Sequence, residues 1–148
     1  MHFRRQPIFV QAFHYDLSMR SPEDTTGIGV QLQKLYDDEI DQMGLKVPKG
    51  GSVMKVIIPF DFIPPQQNFD ISGIMNQIVV IEGFDGKESE LPEEAVKKLS
   101  RPIIELIETL TYEVTTLVLD KGINLNFVAK SEKAEDVDEV DDSESESE

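Results

Sequence analysis

The chain has no cysteine, and only two of its 148 residues are histidine. The absence of cysteine excludes a disulfide framework, a thiolate metal site and a cysteine nucleophile. Long apolar runs are absent too, because no stretch approaches the roughly 20 apolar residues that a membrane-spanning helix needs. The amino-terminal stretch also lacks the apolar segment and small-residue cleavage site of a secretory signal. We therefore expect one cytoplasmic domain without membrane insertion.

Basic residues are scarce, and 14 of them against 29 acidic residues give a net charge of -15. This charge disfavours nucleic acids and anionic membranes as partners, because both carry negative phosphates. Ten acidic residues and one lysine lie between Ser131 and Glu148. We predict that this segment, the acidic tail, is disordered, because it repels itself and has little to bury. Residues 1–130 then form the domain, and the tail either keeps the protein soluble, recruits a partner or weakly binds cations.

Four segments in the first half have strand patterns, and in the clearest, GIGVQLQ, Ile28, Val30 and Leu32 alternate with small or polar residues. The other three are PIFVQAFHYD, SVMKVIIPFDFIP and FDISGIMNQIVVI. Turn-forming residues in SPEDTTG, VPKGG and IPPQQN separate the segments. Because Pro59 cannot donate a ladder hydrogen bond, we expect the third strand to lie at an edge or to break there. Short links between four strands predict an antiparallel meander or Greek key.

The second half has a helical period. Pro92 suits the first turn of a short helix, and Ser100 can cap a second helix with Pro102 just inside it. In that second helix, apolar residues spaced alternately by four and three predict one buried stripe: Ile103, Ile107, Leu110, Val114 and Leu117. Strands followed by helices predict an α+β domain, with one antiparallel sheet and helices on one of its faces.

The strands have apolar residues on both faces, whereas the helices can cover only one. The side chains that remain for the second face include Phe9, Phe13, Tyr15, Ile58, Phe60, Phe62, Ile78 and Val80. Each stabilises a structure by roughly 1.5 to 3 kcal/mol when buried. We therefore expect a second subunit or a bound chain to cover this face. The alternative is that strand twist and loops close over it within one chain.

No catalytic or metal-binding motif is present. The sequence contains no GxSxG, HExxH, P-loop or GxGxxG pattern, and His14 in FHYD is more typical of a strand residue that hydrogen-bonds a neighbour than of a general base. Asp61 and Asp70, near one turn, are either a carboxylate pair or, more commonly for such positions, solvated turn residues. We expect a protein that is not an enzyme and has no cofactor and no metal.

Several segments resemble a known group of proteins. NFDISGI (Asn68 to Ile74) resembles a strand motif of SecB-type bacterial export chaperones, and SRPIIELIETLTYEVTTLVLDKGINLNF resembles their proline-containing helix with the following glycine and LN segment. Together with FVQAFHYD, these segments make residues 3–127 similar to an uncharacterised Gram-positive bacterial family of the SecB-like superfamily. The resemblance implies a four-stranded antiparallel Greek-key sheet with helices packed on one face, assembled into dimers or tetramers.

The resemblance also implies a function. It suggests an ATP-independent chaperone or holdase that binds unfolded or nascent polypeptides on an apolar sheet or groove surface. The alternative is an oligomeric adaptor with one dedicated partner and no general client. Phe69, Ile71 and Ile74 match the family motif, and Tyr15, Phe60 and Phe62 are predicted beside them as polypeptide-binding or interface residues. The chain departs from the export chaperones where their last helix would follow, because the acidic tail begins there instead.

Overall fold

The computed structural model of the chain describes residues 1–17, 20–119, 122–125 and 127. The strands are β1 (His2–Arg5), β2 (Phe9–Leu17), β3 (Gly27–Ile28), β4 (Gln31–Leu35), β5 (Ser52–Phe62) and β6 (Phe69–Glu82). The helices are α1 (Asp37–Met43) and α2 (Glu93–Leu119), and short 3-10 turns occupy Pro22–Asp24 and Glu88–Glu90. The α+β class is confirmed. The chain divides into two compact units, Met1–Ile103 and Ile104–Glu148, and the acidic tail lies outside the described residues.

All strand pairs are antiparallel, and β5 and β6 form the centre of the sheet. β1 and β2 both pair with the outer side of β6, whereas β3 and β4 both pair with the outer side of β5. The connection from β2 to β3 therefore crosses from one edge of the sheet to the other, which is a Greek-key path. Within the described part of the chain, six strands replace the four expected because each outer strand is broken into two pieces.

Pro59 lies in the middle of a central strand, so the prediction of an edge or a break is wrong. The N–H of Gly29 donates to the carbonyl of Pro59 at 2.9 Å. In an antiparallel ladder the N and C=O of one residue point to the same side. The nitrogen of Pro59 therefore faces the interval between β3 and β4, where the neighbouring strand is already interrupted. The sheet accepts the proline because its missing donor lies at this gap.

Gly73 is required by a close approach between β2 and β6. The pairing of β2 shifts register between Val10 and Ala12, as in a β-bulge. A Cβ at Gly73 would collide with the carbonyl of Ala12 and would lie 2.8 Å from the ring of Phe60. Glycine is therefore the residue that lets the edge strand approach this closely.

One face of the sheet, the α2 face, is buried along the whole of β5. Its β5 side chains are Met54, Val56, Ile58, Phe60 and Phe62, and none is more than 7% exposed. Arg5 opposes Val79 on this face, and its guanidinium contacts α2. Because side chains alternate along a strand, the residues between these belong to the opposite face.

The opposite face is covered at one end by α1, a helix that the sequence analysis did not predict. Glu39 caps the helix by accepting a hydrogen bond from the N–H of Tyr36 at 3.2 Å, and Gly44 ends it in a left-handed conformation. We call the residues packed here the α1 cluster: Leu35, Ile40, Leu45, Val47, Val53, Ile78 and Val80. A helix therefore covers part of each face, whereas helices were expected on one face only.

α2 is one continuous helix, so the predicted division at Ser100 is wrong. Pro102 lies inside it and has no N–H for the carbonyl of Lys98, its partner four residues earlier. Arg5 replaces that donor, because its Nη2 lies 2.7 Å from the Lys98 carbonyl oxygen. Its Nη1 donates to the carbonyl of Leu99 at 3.3 Å and to Oε1 of Gln77 at 3.2 Å. A strand residue thus supplies the hydrogen bond that the helix lacks.

The buried stripe of α2 differs from the predicted one. Its members follow a spacing of four residues: Leu99, Ile103, Ile107, Thr111 and Thr115. The two threonine hydroxyls donate to the carbonyls of Ile107 and Thr111, one turn earlier, so their burial leaves no unpaired hydroxyl. Leu117 belongs to the predicted stripe but is 84% exposed. The prediction followed apolar residues alone and so missed buried threonines.

We expect Arg5→Ala to lower the free energy of unfolding by about 1 to 3 kcal/mol, because it leaves the carbonyl of Lys98 without a donor. In a Pro102→Ala background, the N–H of the new alanine can donate to the carbonyl of Lys98. The loss of unfolding free energy caused by Arg5→Ala should therefore be smaller. Urea unfolding of the four proteins of this double-mutant cycle measures the difference. Arg4→Ala, which removes an exposed ion pair with Glu82 and an exposed hydrogen bond to the carbonyl of Lys46, is the control and should cost at most about 1 kcal/mol. Equal losses in both backgrounds would contradict the role of Arg5.

Candidate functional site

Five of the six predicted binding residues lie together on the α2 face. Phe60, Phe62, Phe69 and Ile71 are between 0% and 7% exposed, and Tyr15 is half-buried. The rings of Tyr15 and Phe69 are 4.8 Å apart, and those of Phe60 and Phe62 are 6.5 Å apart. The burial of four of these side chains favours a role in the core. A role in polypeptide binding or in an interface stays a prediction.

Ile74, the sixth predicted residue, lies on the opposite face among apolar side chains that remain partly open. We call this group the open band: Phe9, Ala12, Ile57, Pro59 and Ile74. Phe9 is 61% exposed, and the other four are half-buried. Pro59, Ile74 and Ala12 oppose one another across β5, β6 and β2, and Ile57 and Phe9 flank Asn76 in the next row. The band therefore continues across neighbouring strands.

Sequence analysis missed Ile57 and Pro59 as surface residues. In VIIPF, Ile57 and Ile58 are adjacent and both apolar, so the sequence does not indicate which of them faces the core. Pairing with β6 decides this, because Ile58 opposes the fully buried Met75 and Ile57 opposes Asn76. Lys55, two residues before Ile57, could have indicated that Ile57 faces solvent, because a charged residue marks the more solvent-exposed face of a strand.

The open band has a limited size. The α1 cluster closes the face at one end, and charged residues close it at the other. Its two rows lie about 7 Å apart along the strands, and its three strands, β5, β6 and β2, span about 10 Å across them. With side chains included, the band covers on the order of 200 Å². A length of about 10 to 15 Å across the strands fits about three to five residues of an extended chain.

Arg20 closes the second end of the open band. Its Nη2 lies 2.6 Å from Oδ1 of Asp61 and 3.1 Å from Oδ2 of Asp70, and its Nη1 donates to Oδ2 of Asp61 at 3.2 Å. The two aspartates noted in the sequence do converge, but they converge on an arginine in the connection between β2 and β3. The pKa of Asp61 is lowered, chiefly by the hydrogen bonds from Arg20, although partial burial acts in the other direction. The pKa of Arg20 is raised for the same reason.

Histidine and carboxylate side chains are the groups that could support catalysis or metal binding. His14 is exposed on β2, opposite Ser72. Within the part of the chain that the structure describes, no group of three or more His, Cys, Asp or Glu side chains could hold a metal ion. Among the same residues, no helix combines the length and apolar character needed to cross a membrane.

Comparison with known proteins gives a family and two similar structures. A family model described as "Protein of unknown function (DUF1149)" matches residues 1–127. The crystal structure of a protein of unknown function from Streptococcus agalactiae is 28% identical, with a TM-score of 0.68 over 86% of this chain and 98% of that chain. No curated protein matches.

The second structure is a Mycobacterium tuberculosis SecB-like chaperone in complex with a ChAD peptide from the HigA1 antitoxin. It is 12% identical, with a TM-score of 0.47 over 84% of this chain and 90% of that chain. At this level the similarity carries no argument about the present chain. The SecB-like resemblance noted in the sequence therefore stays a hypothesis.

We expect Phe60→Ala to lower the free energy of unfolding by about 3 to 5 kcal/mol, because it leaves a cavity in the buried α2 face. Phe9→Ala, the same substitution at an exposed position, should change it by no more than about 0.5 kcal/mol. Chemical unfolding followed by circular dichroism measures both. Similar small losses in the two variants would mean that Phe60 is not a core residue.

Arg20→Gln should lower the melting temperature at pH 7 but have little effect in strong acid. The folded-state pKa of Asp61 lies below its usual value of 3.8, so the pair with Arg20 contributes fully above that value. Its contribution is lost as the pH falls through the lowered pKa. Thermal unfolding between pH 2 and pH 7, compared with Arg4→Gln, tests this. If the melting temperature of Arg20→Gln differs from that of the unmodified protein by the same amount at every pH in this range, the proposed pairing is wrong.

Proposed function

We infer the function of this chain, which belongs to the DUF1149 family of proteins of unknown function, from the geometry of its own residues. We propose a polypeptide-binding protein that holds short, extended, apolar segments of unfolded or nascent chains on the open band. Binding would require neither nucleotide nor covalent chemistry, and the protein would not be an enzyme. The observation that carries this proposal is a continuous group of partly exposed apolar side chains on a sheet face.

The composition of the open band favours an apolar segment. Phe9, Ile57, Pro59 and Ile74 present carbon atoms to solvent, and apolar surface contributes about 25 cal/mol for each Å² removed from water. About 200 Å² buried on the protein, with a similar area on the segment, would contribute on the order of 10 kcal/mol before the ordering costs of binding. Ordering an extended chain removes much of this, which leaves weak and reversible binding. Such binding suits a holdase that must release its client.

The positions of the charged residues, which lie outside the open band, favour low selectivity for the sequence of the bound segment. Lys55 lies beyond one end of the band, and Arg20 with Asp61 lies at the other, whereas the band itself contains no charged side chain. Since no charge lies within the band to select a particular sequence, apolar character and an extended shape would be the main requirements. This is the recognition expected for unfolded chains.

The alternative is that the open band is covered by a second copy or by one dedicated partner. The open band by itself is too small to form such an interface, because a stable interface buries about 800 Å² on each partner. A dimer or tetramer would need additional surface beyond these five residues. Assembly into such oligomers is part of the proposal and is measured by the mass of the protein in solution.

The substitutions Phe9→Asp and Ile74→Asp together should weaken binding of apolar extended peptides at least tenfold, because two apolar contacts are replaced by carboxylates. They should also abolish any delay in the aggregation of an unfolded test protein. Leu117→Asp changes an apolar residue that is 84% exposed on α2, so it is the matched control and should bind normally.

Circular dichroism measures whether the double variant is folded. If the double variant is unfolded, the single variant Phe9→Asp, at an already exposed position, is used in its place. The proposal is wrong if the wild-type protein neither binds such peptides nor delays aggregation at stoichiometric amounts. It is also wrong if the sheet variants and Leu117→Asp weaken binding equally.

A further inference from the structure

The loop between β6 and α2 crosses one end of the sheet, and we call it the strap (residues 83–91). Near its beginning, the hydroxyl of Ser52 in β5 donates to the carbonyl of Phe84 at 2.6 Å. At its end, Leu91 is only 8% exposed, so burial anchors the strap before α2 begins. The strap is therefore attached to the body of the fold at both ends.

Lys34 in β4 contacts the middle of the strap through both its side chain and its backbone. Its Nζ donates to the carbonyls of Asp85 at 2.7 Å and Gly86 at 3.0 Å. Its backbone N–H donates to Oε2 of Glu88 at 3.0 Å. The pKa of Glu88 is lowered, chiefly by this hydrogen bond, so the ionised carboxylate is the form that accepts it. One residue of β4 thus holds the strap through its backbone and its side chain together.

Contacts within the strap hold Glu88 in position. The N–H of Lys87 donates to Oε1 of Glu90 at 2.7 Å, across the 3-10 turn Glu88–Glu90. A Cβ on Gly86 would collide with the same carboxylate and would lie 3.0 Å from the ring of Phe84. Glycine therefore lets the strap fold closely on itself, and the compact turn directs Glu88 toward β4.

β4 is an edge strand, because among the described strands it pairs with β5 alone. The N–H of Gly29 donates to the carbonyl of Pro59, so the odd-numbered residues of β5 direct their backbone groups toward β3 and β4. Their partners in β4 are Gln31, Gln33 and Leu35. The backbone groups of the two residues between these, Leu32 and Lys34, therefore point away from the sheet. Glu88 accepts its hydrogen bond on this outer side.

An outer edge of this kind can pair with a strand of another chain. An added strand bonds to alternate residues, and β4 offers two of these, Leu32 and Lys34. Because Glu88 occupies the N–H of Lys34, an added strand could bond only to Leu32, which is too short a stretch for a ladder. The one charged side chain of β4, that of Lys34, is engaged by the strap. The strap, rather than a solvated charge, therefore protects this edge.

We propose that the strap is a cover that keeps β4 from pairing with β4 of a second copy, and that Glu88 closes this cover. Without the strap, two copies of β4 can pair antiparallel about Gln33, which brings their outward-facing backbone groups together. The strap thus restricts contacts between copies to other surfaces. This inference concerns a different surface from the open band and does not depend on polypeptide binding there.

Amide hydrogen exchange at Lys34, measured by NMR on the full chain at low concentration, tests whether Glu88 holds the strap. Glu88→Ala should lower the protection of this amide about tenfold or more, because a hydrogen bond to a charged group is lost. Glu88→Gln should retain part of the protection, because its side-chain oxygen can still accept. Asp85→Ala is the matched control, because it removes an exposed carboxylate of the same loop but keeps the carbonyl that contacts Lys34. It should leave the protection unchanged.

A concentration series tests whether the strap prevents pairing. In sedimentation experiments Glu88→Ala should self-associate at concentrations at which the unmodified chain and Asp85→Ala do not. As the concentration of Glu88→Ala rises, the amides of Leu32 and Lys34 should gain protection, which identifies β4 as the contact. Lys34→Met, which removes the two side-chain hydrogen bonds to the strap, is a second variant and should also increase self-association.

The amides of β5, in the centre of the sheet, report whether each variant remains folded, and Lys34→Met replaces Glu88→Ala if the latter does not fold. Unchanged protection of Lys34 in Glu88→Ala would overturn the proposal. Loss of this protection without any increase in self-association would also overturn it. Self-association that leaves the amides of Leu32 and Lys34 unprotected would have the same meaning, since another surface would then form the contact.

Discussion

The antiparallel pairing of β5 with β6 is the interaction on which the rest of the structure depends. Eleven residue pairs, from Ser52 with Ile81 to Phe62 with Ile71, determine which side chains share a face. A shift of one residue would exchange the two faces, because the side-chain period of a strand is two. This register places the aromatic side chains of β5 on the buried α2 face and leaves Ile57 and Pro59 on the other face.

The irregular positions in the fold are stabilised by partners that are distant in the sequence. The nitrogen of Pro59 faces the gap between β3 and β4, and the carbonyl of Lys98, which Pro102 leaves without a donor, accepts a hydrogen bond from Arg5. Arg20 attaches the crossing connection to the sheet through Asp61 and Asp70. Each proline would weaken an isolated strand or helix, but Pro59 is tolerated because it faces a gap between strands, and Pro102 because Arg5 replaces the missing donor.

The surface proposed for polypeptide binding follows from the same sheet. The open band is the part of one face that neither the α1 cluster nor Arg20 covers, and it is apolar and small.

The sequence by itself determined the local features: the alternating strands, the helical period after Pro92, the charge of the tail and the absence of cysteine chemistry. Its prediction grouped Ile74 with Phe60 and Phe62, although those two residues lie on the other face of the sheet. Only the tertiary structure decided the faces, the central position of Pro59 and the continuity of α2. The physical reason is that each depends on strand register or on a hydrogen bond between residues far apart in the chain, such as Arg5 and Lys98, and local patterns do not contain that information.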